Sequence, residues 1–319
     1  MTAFHPQLGL KSDEEAAVFA KVMQMGKPLG TYLEGAMFYG LKTGFNEAFE
    51  ISEQQRAAIL KVSPESAALI KPFLGGQDIR RYVIEDNGRH LIVIPSGWTQ
   101  QQMTRVKNGA GDYSEREAWN CLSREHPAIA DHLKNFAESL RKRQDQGDYW
   151  WELRPCDYYE YFDSPKIIFP DICKAPRFYL DRTGIYIANT AYCLGTGDPY
   201  LLGILNSRLF WFAISNISIP FGIRAGKYRY RLIYQYMEKV PIRPIDADNP
   251  ADKSRRDQMV QLAEQMLTLH QRLSTAKTPQ EKTALERQIT ATGTQLDRLV
   301  YDLYGLTGDE IKMVEGAAP

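Results

Sequence analysis

Met259, Leu262, Met266, Leu269 and Leu273 recur at alternating steps of three and four residues. Leu285, Ile289, Thr292, Leu296, Leu299 and Leu303 resume the rhythm after the interruption "STAKTPQEK". This spacing keeps apolar side chains on one stripe of an α-helix. It predicts two helices of roughly five turns each, joined by a short turn into an antiparallel hairpin. Gly305 supplies a C-cap, and Thr307-Gly-Asp-Glu310 fits a capping box opening a short last helix. Ahead of the hairpin, "PIRPIDADNPADKS" (residues 241 to 254) holds three prolines among turn formers and reads as a linker. The chain thus divides into residues 1-245, a mixed region, and residues 246-319, a helical one.

Short β-branched and aromatic runs mark the mixed region: "HLIVIP" (90 to 95), "KIIFP" (166 to 170), "RFYLD" (177 to 181) and "GIYIAN" (184 to 189). The last two, joined through Arg182-Thr183-Gly184, read as a hairpin. Ile129, Leu133, Phe136 and Leu140 share one face of a helix spanning 126 to 143, and Leu201, Leu205 and Leu209 do so over 201 to 214. No regular alternation of strand and helix suggests a doubly wound fold. The expected class is α/β (α+β), a mixed, curved sheet with packed helices, followed by the helical hairpin.

With 319 residues, 44% of them apolar and 24% charged, the chain can bury a sizeable core and is not a disordered polymer. Cys121, Cys156, Cys173 and Cys193 form no C-x-x-C pair, which points to reduced thiols and a cytoplasmic setting. The N-terminal "MTAFHPQLGLKSDEEAA" lacks the basic and apolar regions of a signal peptide.

Charge is balanced over the whole chain, 39 basic residues against 39 acidic, but it is segregated locally. Between Pro199 and Met237 there is no acidic residue, while Arg208, Arg224, Lys227, Arg229 and Arg231 are all present. In "GKYRYRLIYQY" the cations alternate with tyrosines, so an extended backbone would place Lys227, Arg229 and Arg231 on one face. A charge-protected edge strand explains the alternation. It does not explain the missing acids.

Catalytic signatures are absent. There is no G-x-x-x-x-G-K-[ST] loop and no H-E-x-x-H, and "CLGTGDPY" reads as a turn. His126 and His132 fall on different faces of a helix. Pro170-Asp171 and Glu310-Ile-Lys312 make only a faint and widely split match to a metal-dependent nuclease. Amino-methylating DNA methyltransferases hold their flipped base with [DNS]-P-P-[YFW], and no two of the seventeen prolines are adjacent. The chain alone is expected to be no enzyme and to hold neither cofactor nor metal.

Several segments resemble one family: "FYGLKTGFNEAFEI" (38 to 51), "IKPFLGGQDIRRY" (70 to 82), "HPAIADHLKNF" (126 to 136), "GDYWWELRPCDYYEYFDSPKIIFPDI" (147 to 172), "DPYLLGILNSRLFWF" (198 to 212) and "LDRLVYDLYGLTGDEIKMVE" (296 to 315). Together they resemble the C-terminal half of type IIG restriction-modification enzymes and adenine-specific DNA methyltransferases, the TaqI-like C-terminal specificity domain. The resemblance implies that residues 1-245 are a target recognition domain for double-stranded DNA and that 246-319 dock to a methyltransferase. S-adenosylmethionine and catalysis would then belong to that methyltransferase partner or to a missing N-terminal domain, with or without a nuclease. Met1 stands a short way upstream of "GLKTGFNEAF", where the family's methyltransferase would just have ended. A separately encoded specificity subunit or a shortened form of a longer enzyme are the expectations. The alternative is an interaction or regulatory remnant that no longer binds DNA.

DNA recognition needs cations for phosphates and donors or acceptors for base edges. Lys42, Thr43 and Asn46 sit in a glycine-containing polar loop. Gln77, Arg80 and Arg81 follow the Gly75-Gly76 turn, although Asp78 could lock either arginine in a local ion pair. Lys174 and Arg177 flank Pro176, whereas Lys166 reads as a solvated strand residue. Arg224, Lys227, Arg229 and Arg231 complete the set. Trp150 and Trp151 read as core.

Overall fold

The computed structural model describes residues 12–107, 111 and 113–317; part of the N-terminal stretch considered for a signal lies outside them. Apolar periodicity in the C-terminal region translates directly into structure. Helices Pro250–Thr275 and Pro279–Leu303 form the antiparallel pair, each opened by a side-chain cap, Asn249 and Thr278, followed by proline in its first turn. Their shared stripe buries Met259, Met266, Leu269, Leu285 and Leu296. Thr292 is buried with them, and helix Gly308–Ala317 ends the described chain. The linker is shorter than its composition suggests, because Pro241–Ile242 pairs antiparallel with Lys27–Pro28 and the helix begins at Pro250.

Two helices expected to be continuous are each broken by an asparagine. Asn206 lies between Pro199–Leu205 and Arg208–Ile217, where its amide binds the Phe178 backbone in both directions, accepting from N–H at 3.2 Å and donating to C=O at 2.9 Å. Ser207 then caps the second helix by accepting from the Phe210 N–H. Similarly, Asn135 turns its amide back onto the carbonyls of Asp131 and His132, separating Pro127–Lys134 from Ala137–Lys142. Such side-chain bonds compete with the helical ladder.

Among the described residues the strands form small sheets. In one, Met37–Tyr39, Ala191–Leu194, Lys166–Pro170 and Tyr179–Asp181 lie in that order, all antiparallel. In a second the order is Glu50–Ser52, Arg89–Ile92, Ile70–Leu74 and Tyr186–Ile187, the last pair parallel. The segments around Tyr179–Asp181 and Tyr186–Ile187, expected to form a hairpin, therefore enter different sheets. Asp181 separates them: it accepts from the N–H groups of Thr183 and Ile185 and pairs with Lys166. Lys166 is fully buried rather than solvated, and its charge is met by that carboxylate and the Phe162 carbonyl.

Lys166–Pro170 is buried along its whole length. Its alternate residues feed two cores, as strand geometry requires. Ile167 and Phe169 join a core with the helix Arg208–Ile217 and the C-terminal pair, while Ile168 joins one with Trp151, Leu91 and Phe49. Full burial of Leu209, Phe210, Phe212 and Ile214 contributes about 1.5–3 kcal/mol apiece. Trp151 is fully buried too, and the adjacent Glu152 accepts from the N–H groups of Gly97, Thr99 and Asp148, anchoring the start of helix Trp98–Lys107. The four cysteines are free thiols. No helix among the described residues is long and apolar enough to cross a membrane.

Candidate nucleic-acid interface

The basic strip forms one arm of a two-stranded ribbon. Pro220–Arg224 pairs antiparallel with Lys227–Arg231, and the base of the latter continues into Ile172–Cys173 through Tyr230 opposite Cys173 and Arg231 opposite Ile172. The strip is thus flanked on both sides at its base, and Pro220–Arg224 is one edge strand of this sheet. Ala225 and Gly226, with φ of +53° and +73°, make the two-residue turn that suits the twist of a hairpin. A bulge between Pro220 and Ile223 coincides with Gly222, whose φ is +76°. Cross-strand register puts Arg224 beside Lys227. The guanidinium groups of Arg229 and Arg231 lie 5.4 and 5.6 Å from the Phe221 ring, so these cations share a face with that aromatic.

This ribbon walls a cleft of about 680 Å³ where three sheets meet. The opposite wall is the Gly75–Gly76 turn, and the floor is Pro170–Cys173 with the turn at 188 to 190. The turn is zipped to its surroundings by Gly76 N–H to Thr190 Oγ1 at 2.9 Å, Asp171 N–H to the Thr190 carbonyl at 3.0 Å and Ala188 N–H to the Leu74 carbonyl at 2.8 Å. Only glycine fits at 76, where a Cβ would lie 2.2 Å from the Thr190 carbonyl oxygen.

Six residues expected to touch DNA line this cleft: Asn46, Gln77, Lys174, Arg177, Arg224 and Arg229. The four cations of this set make no ion pair among the described residues, which leaves their charge available to an anion. Asn46 accepts a hydrogen bond from the Thr43 hydroxyl at Oδ1, which leaves its amide nitrogen and the second lone pair of that oxygen for the cleft. Thr43 itself is buried, its hydroxyl donating to Asn46 and accepting from the Phe45 N–H, which holds the loop in place. Lys42 is exposed beside a smaller adjoining cleft that shares Asn46 and Asn189 with the first. Lys227 and Arg231 lie on the ribbon outside the cleft lining.

Arg80 and Arg81 are not brought to the cleft. Arg80 pairs with Glu85 at 2.5 Å and donates to the Ile79 carbonyl, while Arg81 donates to the Asn206 carbonyl at 2.8 Å. The ion pair foreseen from Asp78 involves neither arginine. Asp78 binds Arg89 at 2.6 Å and accepts from the Gly75 N–H at 2.7 Å.

Arg89 and Asn189 were missed by sequence reasoning, although both line the cleft. Arg89 also pairs with Glu50 at 2.8 Å. Burial opposes its charge, yet hydrogen bonds and charge from Glu50 and Asp78 outweigh that and hold its pKa above the ordinary arginine value. The available signal was the position of Arg89 at the mouth of the apolar run "HLIVIP". Asp171 on the floor is also half-buried, and burial raises its carboxyl pKa against the pull of Arg231. Among the described residues no group of three or more His, Cys, Asp or Glu side chains could hold a metal.

The fold is a mixed α/β unit whose cleft is lined by the amides of Asn46, Gln77 and Asn189 and by unpaired cations from the ribbon and the Lys174–Arg177 loop. The sequence matches the model of the TaqI-like C-terminal specificity domain over residues 71–242, more than half of the chain. The chain belongs to that family and, with it, to the DNA-recognition modules of restriction-modification systems. Its fold is similar to that of the type IIL restriction-modification enzyme MmeI, solved in complex with DNA. That likeness has a TM-score of 0.55 and 14% identity, and covers 88% of this chain and 35% of that one. The type IIG restriction endonuclease BpuSI matches over 92% of this chain and 33% of its own, with TM-score 0.41 and 9% identity. The chain spans about a third of the length of these solved chains.

Proposed function

We propose that this chain reads a short sequence in double-stranded DNA on behalf of an adenine-specific DNA methyltransferase, in a type IIG-like restriction-modification system. The observation that carries this reading is the cleft, whose lining the cations of the ribbon and the Lys174–Arg177 loop share with the amides of Asn46, Gln77 and Asn189. Cations meet phosphates, which position the duplex without specifying it. Asparagine and glutamine pair with adenine edges, and an unpaired arginine with guanine.

Methyl transfer, with S-adenosylmethionine, belongs in this reading to a partner subunit or to another region of a longer polypeptide. The C-terminal helical pair would dock there. Its apolar stripe already packs on this chain's own helices, so docking would use the outer, charged faces.

The test is selection from a random duplex pool, using the chain together with its methyltransferase. One short enriched site, bound with steep salt dependence, is the expected result. Arg224→Ala plus Arg229→Ala should lower the salt slope by about two units, one per lost phosphate contact. No duplex binding at low salt, even with the methyltransferase present, would overturn the reading.

A further inference from the structure

The ribbon has a second face. Opposite the arginines, register places Ile223 directly across from Tyr228, one step before the tip. Nearer the body the same face is used as core, with the Tyr230 ring packed edge-on against Trp211 at 5.6 Å. Beyond that contact the apolar face runs out into solvent, leaving Ile223 61% and Tyr228 55% exposed. An isolated two-stranded ribbon gains little from displaying such a pair to water, where polar residues would normally stand.

We propose that the outer half of the ribbon is an apolar wedge for duplex DNA, in which Ile223 and Tyr228 push between adjacent stacked base pairs while Arg224 and Lys227 hold the neighbouring phosphates. The proposal rests on the DNA-reading function above. Two features select DNA as the occupant. Ile223 and Tyr228 are each flanked in sequence by a cation, Arg224 and Lys227, and no acid occurs between Pro199 and Met237. The cores of protein–protein interfaces are depleted in charge, and especially in lysine. The ribbon is also continuous with the proposed DNA surface, since Arg224 and Arg229 line the cleft. Apolar side chains framed by cations are the chemistry with which proteins unstack and kink a duplex. The tight turn at Ala225–Gly226 makes the tip narrow enough to enter a groove.

The experiment uses the full chain with its methyltransferase and a selected duplex. Single 2-aminopurine substitutions are placed at each position except the methylated adenine, and a dye pair at the ends reports bending. Wild type should raise the fluorescence at one step and shorten the end-to-end distance. Ile223→Ala plus Tyr228→Ala should abolish both signals with the salt slope unchanged, while Ile223→Leu should keep them. Thermal melting of each variant checks that the fold is intact.

Duplex binding by wild type with neither signal overturns the wedge and leaves the DNA-reading function standing. Absence of duplex binding overturns both. If the double variant keeps the DNA signals but no longer co-elutes with the methyltransferase, the face docks protein and the wedge is wrong.

Discussion

The Arg89 guanidinium lies 2.6 Å from the Asp78 carboxylate, which also receives the Gly75 N–H. This pair ties the strand Arg89–Ile92 to the glycine turn that forms a wall of the cleft. Asp78→Ala would leave the amide and half of the guanidinium without partners. A loss of about 2–3 kcal/mol is expected, measured as a lower urea midpoint.

The cations should separate into two classes. Arg80 is already neutralised by Glu85, so Arg80→Ala should leave the salt slope of DNA binding unchanged. Arg229→Ala should reduce it by about one unit. Titrations of the methyltransferase-bound chain between low and moderate salt measure both, and equal slopes for the two variants would refute the assignment.

Thr190 sets a steric limit at the cleft floor. Gly76→Ala would drive a Cβ into the Thr190 backbone, and the turn at 188 to 190 would have to move. A loss of about 2–3 kcal/mol is expected, with duplex affinity falling more than in a surface control such as Lys312→Ala.

Stability should also fall on mild acidification. Burial, with a smaller contribution from Arg81, lowers the His270 pKa from 6.5 to about 4 in the folded chain, where its ring lies 5.7 Å from Tyr82. Between those values the unfolded chain binds the extra proton, so the stabilising contribution is complete above pH 6.5 and is lost as pH drops towards 4. His270→Gln should flatten that portion of the profile, as measured by urea midpoints at pH 7 and 5.

Local pattern made the helical pair legible, because a three–four repeat is written in neighbouring residues. The break at Asn206 was not legible, since that amide acts through the backbone of Phe178, which is distant in sequence; at Asn135 the partners are local, but an asparagine amide inside an apolar repeat can equally point to solvent. Strand pairing failed for the same reason: Asp181 and Lys166 divert two adjacent strands into separate sheets. At the site, the unpaired cations could be found from composition and alternation. Distinguishing Arg80, which is tied to Glu85, from Arg229 required the three-dimensional arrangement. Arg89 was not singled out, because Glu50 and Asp78, its two carboxylate partners, are brought together only by the fold.

Lys166–Pro170 is gripped by a separate core on each side, and the cleft floor begins where that strand ends. A floor held this way need not order itself when a ligand arrives, so the entropy of organising it is met during folding. Asn46, Gln77 and Asn189 stand on short turns outside both cores. Exchange of Gln77 or Asn189 should therefore change what the cleft presents to a ligand without disturbing what keeps the molecule folded, and selection can act on the two separately.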